Sequence, residues 1–185
     1  GKQADVAPGD VAFIQFSSGS TSDPKGVVLT HANILANARG ASEAAAFNDL
    51  DVSLSWMPLT HDMGLIGMFI MMFANRVAIH LMPTDLFIRR PLLWMSVAAR
   101  KRATILSSPN FGYRHYLKVL GDRNQDDLDL GSVRLIFNGA EPISATLCRE
   151  FLGRMAGTGL KPAAMHPVYG LAEASLAVSF PELGS

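Results

Sequence analysis

A loop rich in hydroxyl groups lies near the start of the sequence and could bind phosphate. Between Ser17 and Gly26 the chain carries five serine or threonine hydroxyls, two glycines and Lys25. Hydroxyls and free backbone N–H groups donate to phosphate oxygens, glycine lets the backbone come close, and a lysine adds a positive charge. This segment, the hydroxyl loop, is not a Walker A motif, because Lys25 follows Pro24 rather than a glycine. From composition alone, an exposed polar turn is an equally good interpretation.

Three later polar clusters contain residues that could also bind a ligand. His61 and Asp62 could form an acid–base pair, although neighbouring side chains usually point apart. Residues 138–142 end an apolar run with small side chains, against which a flat ligand could lie. Tyr169 could stack on a purine, and the carboxylate of Glu173 could bind Mg²⁺. Each cluster, taken singly, is also compatible with an ordinary structural role.

Alternating strand and helix patterns place these clusters at the ends of predicted strands. The apolar, β-branched runs predict strands over residues 11–16, 27–29, 52–57, 77–82, 103–107 and 133–137. Helical periodicity predicts helices over residues 31–47, 63–74, 92–101, 111–120 and 144–157. This alternation predicts an α/β fold with a mostly parallel sheet flanked by helices, and a hairpin around the hydroxyl loop. Ligands of such sheets bind beyond the carboxyl ends of the strands, where the clusters lie.

Composition and charge exclude several classes of protein. The 185 residues include 16 Lys+Arg and 16 Asp+Glu, so the net charge gives no general attraction to nucleic acid. The single cysteine, Cys148, cannot form a disulfide within the chain, which excludes a disulfide-framed secreted module. The longest apolar run, residues 63–74, is too short to cross a membrane. We therefore expect a cytoplasmic protein without nucleic-acid partners or integral membrane contact.

Taken together and in order, the motifs resemble those of the acyl-adenylate-forming enzymes, which include acyl-CoA synthetases, peptide-synthetase adenylation domains and luciferases. The hydroxyl loop resembles the phosphate-binding signature of that superfamily, and residues 169–173 resemble its Tyr-Gly-x-Thr/Ala-Glu signature. The resemblance extends from about Val11 to Phe180. The segments that are most similar to the fatty acyl-AMP ligases are residues 58–67, 109–111, 138–142 and 169–175.

The resemblance implies an enzyme that uses ATP and Mg²⁺ to convert a fatty acid to an acyl-adenylate, with release of pyrophosphate. The acyl group would then pass to an acyl carrier protein. A fatty acyl-CoA synthetase, which transfers the acyl group to CoA, is the nearest alternative, and a non-catalytic nucleotide-binding module is another. An anionic carboxylate that attacks an anionic phosphate needs a site that neutralises charge and fixes the line of attack.

The same resemblance implies which residues would bind the nucleotide. The phosphates would be bound by the hydroxyl loop, through Ser17, Ser18, Gly19, Ser20, Thr21 and Lys25. The adenine would be bordered by Gly139, Ala140, Glu141 and Pro142 and would stack on Tyr169. Gly170 and Ala172 would also bind the nucleotide, Ala172 near the α-phosphate. Mg²⁺ would be placed by Thr21 and Glu173. Ser22 stands where the family usually has glycine; if that position needs a positive φ, a serine there is either strained or accompanied by a different conformation of the loop.

The same resemblance implies a smaller set of residues for catalysis and for binding of the acyl group. The acyl group and its carboxylate would approach past His61, Asn110 and Phe111. The residues with catalytic roles would be Lys25, Thr21, Glu173 and His61. We expect His61 to position the substrate rather than act as a base, because a carboxylic acid is already ionised at neutral pH.

The sequence is also expected to be one part of a larger enzyme. The family's ribose-binding Asp motif, hinge and C-terminal domain with its catalytic lysine are absent from these 185 residues. Charged residues make up 17% of the chain, against about 25% in typical soluble domains. A well-packed α/β core would give this composition, and so would a part of a larger protein with faces that meet the other parts. We therefore expect residues 1–185 to form a single central subdomain that works with the remainder of its own chain and cannot complete adenylation alone.

Overall fold

A hairpin opens the chain, as the sequence predicts. Strands β1 (Val11–Phe16) and β2 (Gly26–Thr30) pair antiparallel, and the Ser17 N–H donates to the Lys25 carbonyl at 2.9 Å to close the base of the loop. The computed structural model of the chain describes residues 5–17 and 25–184. The predicted ligands Ser18, Gly19, Ser20 and Thr21, and the unusual Ser22, lie outside the described residues.

The centre of the fold is a parallel sheet of five strands, which confirms the predicted fold class. Its spatial order is β4 (Ala78–Leu81), β3 (Val52–Ser55), β5 (Ile105–Ser108), β6 (Leu135–Asn138) and β7 (Met165–Pro167). β3 and β5 are neighbours, but the chain leaves β3 for β4 on one side and leaves β5 for β6 on the other. Open α/β sheets bind ligands beyond the carboxyl ends of the strands at such a reversal.

Helices cover both faces of the sheet. One group contains α1 (His31–Ala45) and a π-type helix (Met63–Ile70) that continues as α2 (Met71–Ala74). The other group contains α4 (Leu93–Lys101), α5 (Asn110–Leu120) and α6 (Ala145–Arg154). Consecutive residues of a strand point to opposite faces. On β6, Phe137 meets Phe47, just beyond α1, at 6.0 Å, and Asn138 contacts Cys148 of α6 at 3.1 Å, so α1 and α6 lie on opposite faces.

Aromatic side chains fill the space between the sheet and the second group of helices. Trp94 of α4 lies 5.9 Å from Tyr113 of α5, which in turn lies 5.0 Å from Phe151 of α6, measured between ring centroids. Trp56, just beyond β3, stacks on Phe87 with ring centroids 3.9 Å apart and an angle of 6° between the planes. These rings are buried and anchor three helices and the end of a central strand to one another.

The structure contains elements that the sequence patterns did not predict. They are a short helix, α3 (Thr84–Arg89), and the strands β7, β8 (Tyr169–Gly170) and β9 (Ala177–Ser179), the last two paired antiparallel. Strands of two or three residues are too short for an alternating pattern to be recognised. The predicted helix over residues 63–74 is present, but its first eight residues have π-type hydrogen bonding. Within the described part of the chain, no helix has the length and apolar character needed to cross a membrane.

A buried ion pair ties the amino end of the sheet to α1. Asp51 is 3% exposed and makes a two-point contact with Arg134, whose Nε and guanidinium nitrogen lie 2.8 and 2.5 Å from the two carboxylate oxygens. The guanidinium also donates to the carbonyl oxygens of Ala45 and Ala46, which end α1. The Thr104 hydroxyl donates to the same carboxylate at 2.7 Å. One carboxylate therefore joins the end of α1 to the starts of three sheet strands.

Replacing Asp51 with asparagine is expected to lower the free energy of unfolding by about 3 kcal/mol at neutral pH, the low end for a buried pair because Arg134 is 32% exposed. Burial raises the pKa of Asp51, but hydrogen bonds from Arg134, Thr104 and the Asn48 N–H outweigh it and hold the pKa below its ordinary value of 3.8. A depressed pKa stabilises the fold above that ordinary value, and the stabilisation disappears as the pH falls through the folded-state pKa. Urea unfolding at neutral and acid pH measures both effects.

Asp49→Asn is the matched control, because Asp49 is exposed in the same turn and loses the same charge. The control is expected to change the unfolding free energy by less than about 0.5 kcal/mol. A difference between wild type and Asp51→Asn that stayed constant from neutral pH to strong acid would contradict the role given to the carboxylate.

Candidate active site

A cleft of about 430 Å³ opens at the carboxyl ends of the strands, between the hairpin and the last segment of the chain. It brings together residues from all four motifs that the sequence analysis singled out. The predicted site residues that line it are Ser17, His61, Gly139, Ala140, Tyr169, Gly170, Ala172 and Glu173. The sequence-based expectation that the motifs meet at one edge of the sheet therefore agrees with the geometry.

Other predicted residues in the described part of the chain do not line this cleft. They are Lys25, Asn110, Phe111, Glu141 and Pro142. Lys25 is exposed at the base of the hairpin, where its backbone carbonyl accepts from the N–H of Ser17, a residue of the cleft wall. The other four belong to the two turns that follow β5 and β6.

These two turns are tied to each other by side-chain hydrogen bonds. The Asn110 amide donates to the Pro142 carbonyl and accepts from the Asn138 amide at 3.2 Å. The Glu141 carboxylate accepts from the Phe111 N–H at 2.6 Å, at the amino end of α5, where a negative charge is favourable. In this structure Asn110 and Glu141 use their polar groups to connect the two turns. Their predicted contacts with substrate and adenine stay predictions.

The turn that follows β6 brings backbone close to the cleft. A side-chain carbon at Gly139 would lie 3.0 Å from the Val168 carbonyl oxygen, so a larger residue would force the neighbouring segment to move. Ala140 has a φ of 70°, a conformation that residues with a side chain adopt rarely. Unfavourable backbone conformations are concentrated at binding sites, where the surrounding structure enforces them. The turn is therefore built to present its backbone, with little side chain, to the cleft.

His61 and Asp62 are in contact, although neighbouring side chains were expected to point apart. The Nδ1 atom of His61 lies 2.8 Å from an Asp62 carboxylate oxygen, which also accepts from the Met63 N–H at 2.7 Å. Burial raises the pKa of Asp62, but these hydrogen bonds outweigh it and hold the pKa below its ordinary value. With Nδ1 directed at Asp62, Nε2 is the ring nitrogen available to a ligand. A side chain at Gly64 would collide with the Pro58 carbonyl, so this tight turn requires glycine.

The segment from β8 to β9 carries the last motif along the wall of the cleft that lies across from the β1–β2 hairpin. Tyr169 is 60% exposed and lines the cleft, and the exposed Glu173 lies in a short helical turn, Ala172–Ala174, between the two strands. A side chain at Gly170 would collide with the Leu176 carbonyl, so the strands approach as closely as they do because this residue is glycine. The aromatic ring and the carboxylate are thus held on one short, tightly closed segment.

The inner wall of the cleft is apolar, and the sequence analysis did not identify it. Its residues are Ala41, Phe47, Met68, Met71, Phe137 and Phe180. Phe137 packs edge-on against Phe47 and Phe180, with ring centroids 6.0 and 6.1 Å away. In the sequence these side chains follow the same patterns as core residues, so no local signal distinguishes them. The cleft therefore combines polar groups at its mouth with a hydrophobic interior.

Comparisons with known proteins relate the chain to enzymes that act on fatty acids. The sequence matches the family described as AMP-binding enzyme over residues 1–185. It is 37% identical over 172 residues to the medium-chain-fatty-acid–acyl-carrier-protein ligase TtuA of Teredinibacter turnerae, an alignment that covers 93% of this chain and 27% of that protein. It is 38% identical over 180 residues to the long-chain-fatty-acid–AMP ligase FadD26 of Mycobacterium bovis, which covers 94% of this chain and 30% of that protein.

A solved structure shows the same architecture. The fatty acyl-adenylate ligase from L. pneumophila, in complex with acyl adenylate and pyrophosphate, matches with a TM-score of 0.94 and 36% identity. The match covers 100% of this chain and 32% of that protein. The chain thus spans about a third or less of each relative named here.

Proposed function

This chain belongs to the AMP-binding enzyme family, and from that premise we propose that its parent protein converts a fatty acid and ATP to an acyl-adenylate and pyrophosphate. The observation that carries the proposal is the cleft itself. Its mouth joins Ser17, at the base of the hydroxyl loop, to Tyr169 and Glu173, and its interior is apolar. In a molecule with a phosphate chain, a purine and a hydrocarbon chain, the phosphates would lie at Ser17, the purine at Tyr169 and the hydrocarbon chain in the apolar interior. We also propose a cytoplasmic location, where the ATP that the reaction needs is available.

Each part of the cleft then has a task in the reaction. The hydroxyl loop and Lys25, which is exposed at the base of the hairpin beside the cleft rather than in its lining, bind the phosphates, and the positive charge of Lys25 offsets the negative charge that collects on the departing pyrophosphate. Tyr169 offers a ring face to the adenine, beside the backbone of Gly139 and Ala140. The polar pair His61–Asp62 holds an imidazole nitrogen at the cleft, where it can orient the carboxylate of the fatty acid for attack on the α-phosphate. The apolar wall binds the acyl chain.

The residues at the cleft would supply only some of the oxygen ligands of a magnesium ion. Among the described residues, no three His, Cys, Asp or Glu side chains cluster to hold a metal ion by themselves. Protein sites for Mg²⁺ in phosphate chemistry commonly supply one or two oxygen ligands and leave the rest to phosphates and water. Glu173, together with Thr21 of the hydroxyl loop, would supply such ligands. The bound ion would neutralise charge on the phosphates during transfer.

The proposed acceptor of the acyl group is the thiol of an acyl carrier protein. This part of the proposal is supported by the name of the relative TtuA, which specifies such an acceptor. A fatty acyl-CoA synthetase remains the second candidate, because the apolar wall and the nucleotide-binding residues would be the same for both acceptors. Offering holo acyl carrier protein and CoA separately to the full-length enzyme distinguishes them. Efficient formation of acyl-CoA would favour the second candidate.

Exchange of labelled pyrophosphate into ATP tests the first half-reaction. We expect the full-length parent protein to catalyse exchange only when a fatty acid is present, because the exchange requires reversible formation of the acyl-adenylate. The 185-residue chain alone is expected to show no exchange, since it spans only about a third of its relatives. ATP binding by the full-length protein without exchange, for a series of fatty acids of different length, would instead indicate a non-catalytic nucleotide-binding module.

A further inference from the structure

Asn37, in the middle of α1, binds the backbone of β9 as a neighbouring strand would. Its side-chain amide donates to the Ala177 carbonyl at 2.8 Å, and its side-chain carbonyl accepts from the Ala177 N–H at 3.0 Å. One side chain therefore satisfies both backbone groups of a residue that lies 140 positions further along the chain. A two-point contact of this kind fixes orientation as well as distance.

The backbone that Asn37 holds belongs to the segment that carries the purine and metal motif. Ala177 pairs with Gly170 in the β8–β9 hairpin, and the Leu171 N–H donates to the Leu176 carbonyl at 2.9 Å. The requirement for glycine at position 170 shows how closely these strands are packed. Because the hairpin is tightly closed, fixing Ala177 also fixes the turn that holds Glu173 and the strand that begins with Tyr169.

The amino end of α1 follows the β1–β2 hairpin directly, with no linker between them. Thr30 is the last residue of β2 and also the N-cap of α1. Its hydroxyl accepts from the Asn33 N–H at 3.2 Å, while the Asn33 side chain accepts from the Thr30 N–H at 3.0 Å. This capping box makes the strand and the helix continuous. The first half of α1 is therefore a rigid connection between the β1–β2 hairpin and the contact that Asn37 makes with Ala177.

We propose that Asn37 is a positioning residue that sets the distance between Ser17, at the base of the β1–β2 hairpin, and the Tyr169–Glu173 segment, so that one nucleoside triphosphate can bind to both. The inference rests on the proposed function of the cleft. A ligand that contacts both walls gains affinity only when the two sites are held at the spacing that it can span. Ligands that contact one wall are insensitive to that spacing. AMP, which carries the purine, and pyrophosphate, which carries only phosphates, are such one-wall ligands.

Two variants of the full-length parent enzyme test the proposal. Asn37→Ala removes both hydrogen bonds and raises helix propensity, so any loss cannot result from a weaker α1. Asn37→Asp keeps the acceptor but replaces the donor with an anionic oxygen that faces the Ala177 carbonyl. For both variants we expect the KM for ATP in pyrophosphate exchange to rise about tenfold, as the loss of two ordinary hydrogen bonds would produce. The KM for the fatty acid is expected to change less than about twofold.

The ratio of ATP affinity to AMP affinity distinguishes a positioning role of Asn37 from a merely structural one. Calorimetry with a non-hydrolysable ATP analogue should show about the same tenfold loss, whereas AMP and pyrophosphate should bind the variants nearly as tightly as they bind wild type. A purely structural contact would lower thermal stability or yield and would leave the ratio of ATP to AMP affinity unchanged. Asn124→Ala is the control, because Asn124 is exposed in the turn after α5, and it should match wild type in every measurement.

The outcomes distinguish this inference from the proposed function. Wild-type enzyme that shows no exchange dependent on a fatty acid overturns the proposed function, and this inference with it. Active wild-type enzyme with an unchanged ATP-to-AMP affinity ratio in both variants overturns the inference alone. Equal losses of ATP, AMP and pyrophosphate affinity would also overturn it, because they would mean that the walls themselves are damaged.

Discussion

Replacing Glu173 with glutamine in the full-length parent enzyme is expected to slow acyl-adenylate formation roughly 100-fold or more. Glutamine preserves the size of the side chain and one oxygen but removes the negative charge that a hard divalent cation requires. Glu173 is exposed in the short turn between β8 and β9, so the fold should tolerate the change. Pyrophosphate exchange measured against magnesium concentration is the appropriate assay, and the variant should need more Mg²⁺ to reach half of its maximal rate.

Glu150→Gln provides the matched control for this experiment. Glu150 is an exposed carboxylate on α6 that is not among the cleft residues, so the same chemical change there should leave the exchange rate unaltered. If Glu173→Gln retained the wild-type rate and magnesium dependence, the assignment of this carboxylate to the metal would be wrong, and the cleft would have to bind its nucleotide in another way.

Replacing Lys25 with alanine is expected to have an effect of similar size, again roughly 100-fold on the rate of exchange. The hydrogen bond that closes the hairpin base uses the backbone carbonyl of Lys25, so truncating the side chain leaves that bond in place. The loss should therefore reflect the missing charge beside the phosphates rather than a displaced hairpin. Lys25→Arg, which keeps the charge but changes its shape, should recover part of the rate.

Lys118→Ala is the control for the charge change, because Lys118 is exposed on α5 and does not line the cleft. Thermal unfolding should give the same midpoint for Lys25→Ala and wild type, since the Lys25 side chain is exposed. An unchanged exchange rate in Lys25→Ala would mean that the hydroxyl loop does not deliver this lysine to the phosphates.

The sequence predicted the sheet more completely than it predicted the chain's last segment. The predicted strands over residues 52–57, 77–82, 103–107 and 133–137 overlap β3 to β6, although β3 and β5 also contain buried serines and β4, at the sheet edge, is partly exposed. β7 has only three residues and includes the buried, polar His166, so it resembles a loop when judged from the sequence. The helix over residues 63–74 was predicted, but its π-type hydrogen bonding was not, because a segment that is apolar nearly all round carries no strict periodicity.

The composition of the cleft was predictable where a motif supplies a polar group and unpredictable where packing decides. Ser17, His61, Tyr169 and Glu173 meet because each follows a strand or closes a hairpin at the same edge of the fold. The contact between Asn37 and Ala177 joins parts of the chain that share no local pattern, and only the packing of α1 against β9 reveals it. The same holds for the hydrogen bonds that connect the turns after β5 and β6.

The aromatic stack at the end of β3 has an optical consequence. Trp56 and Trp94 are the two tryptophans of the chain, and both are buried, so their fluorescence should be that of indoles shielded from water. Trp56 also lies edge-on to Phe111, 6.4 Å away, at the start of α5 where the turns after β5 and β6 are connected. A rearrangement of those turns would change the surroundings of this indole. Trp56 is therefore an intrinsic reporter of any such rearrangement, which can be observed without an attached dye.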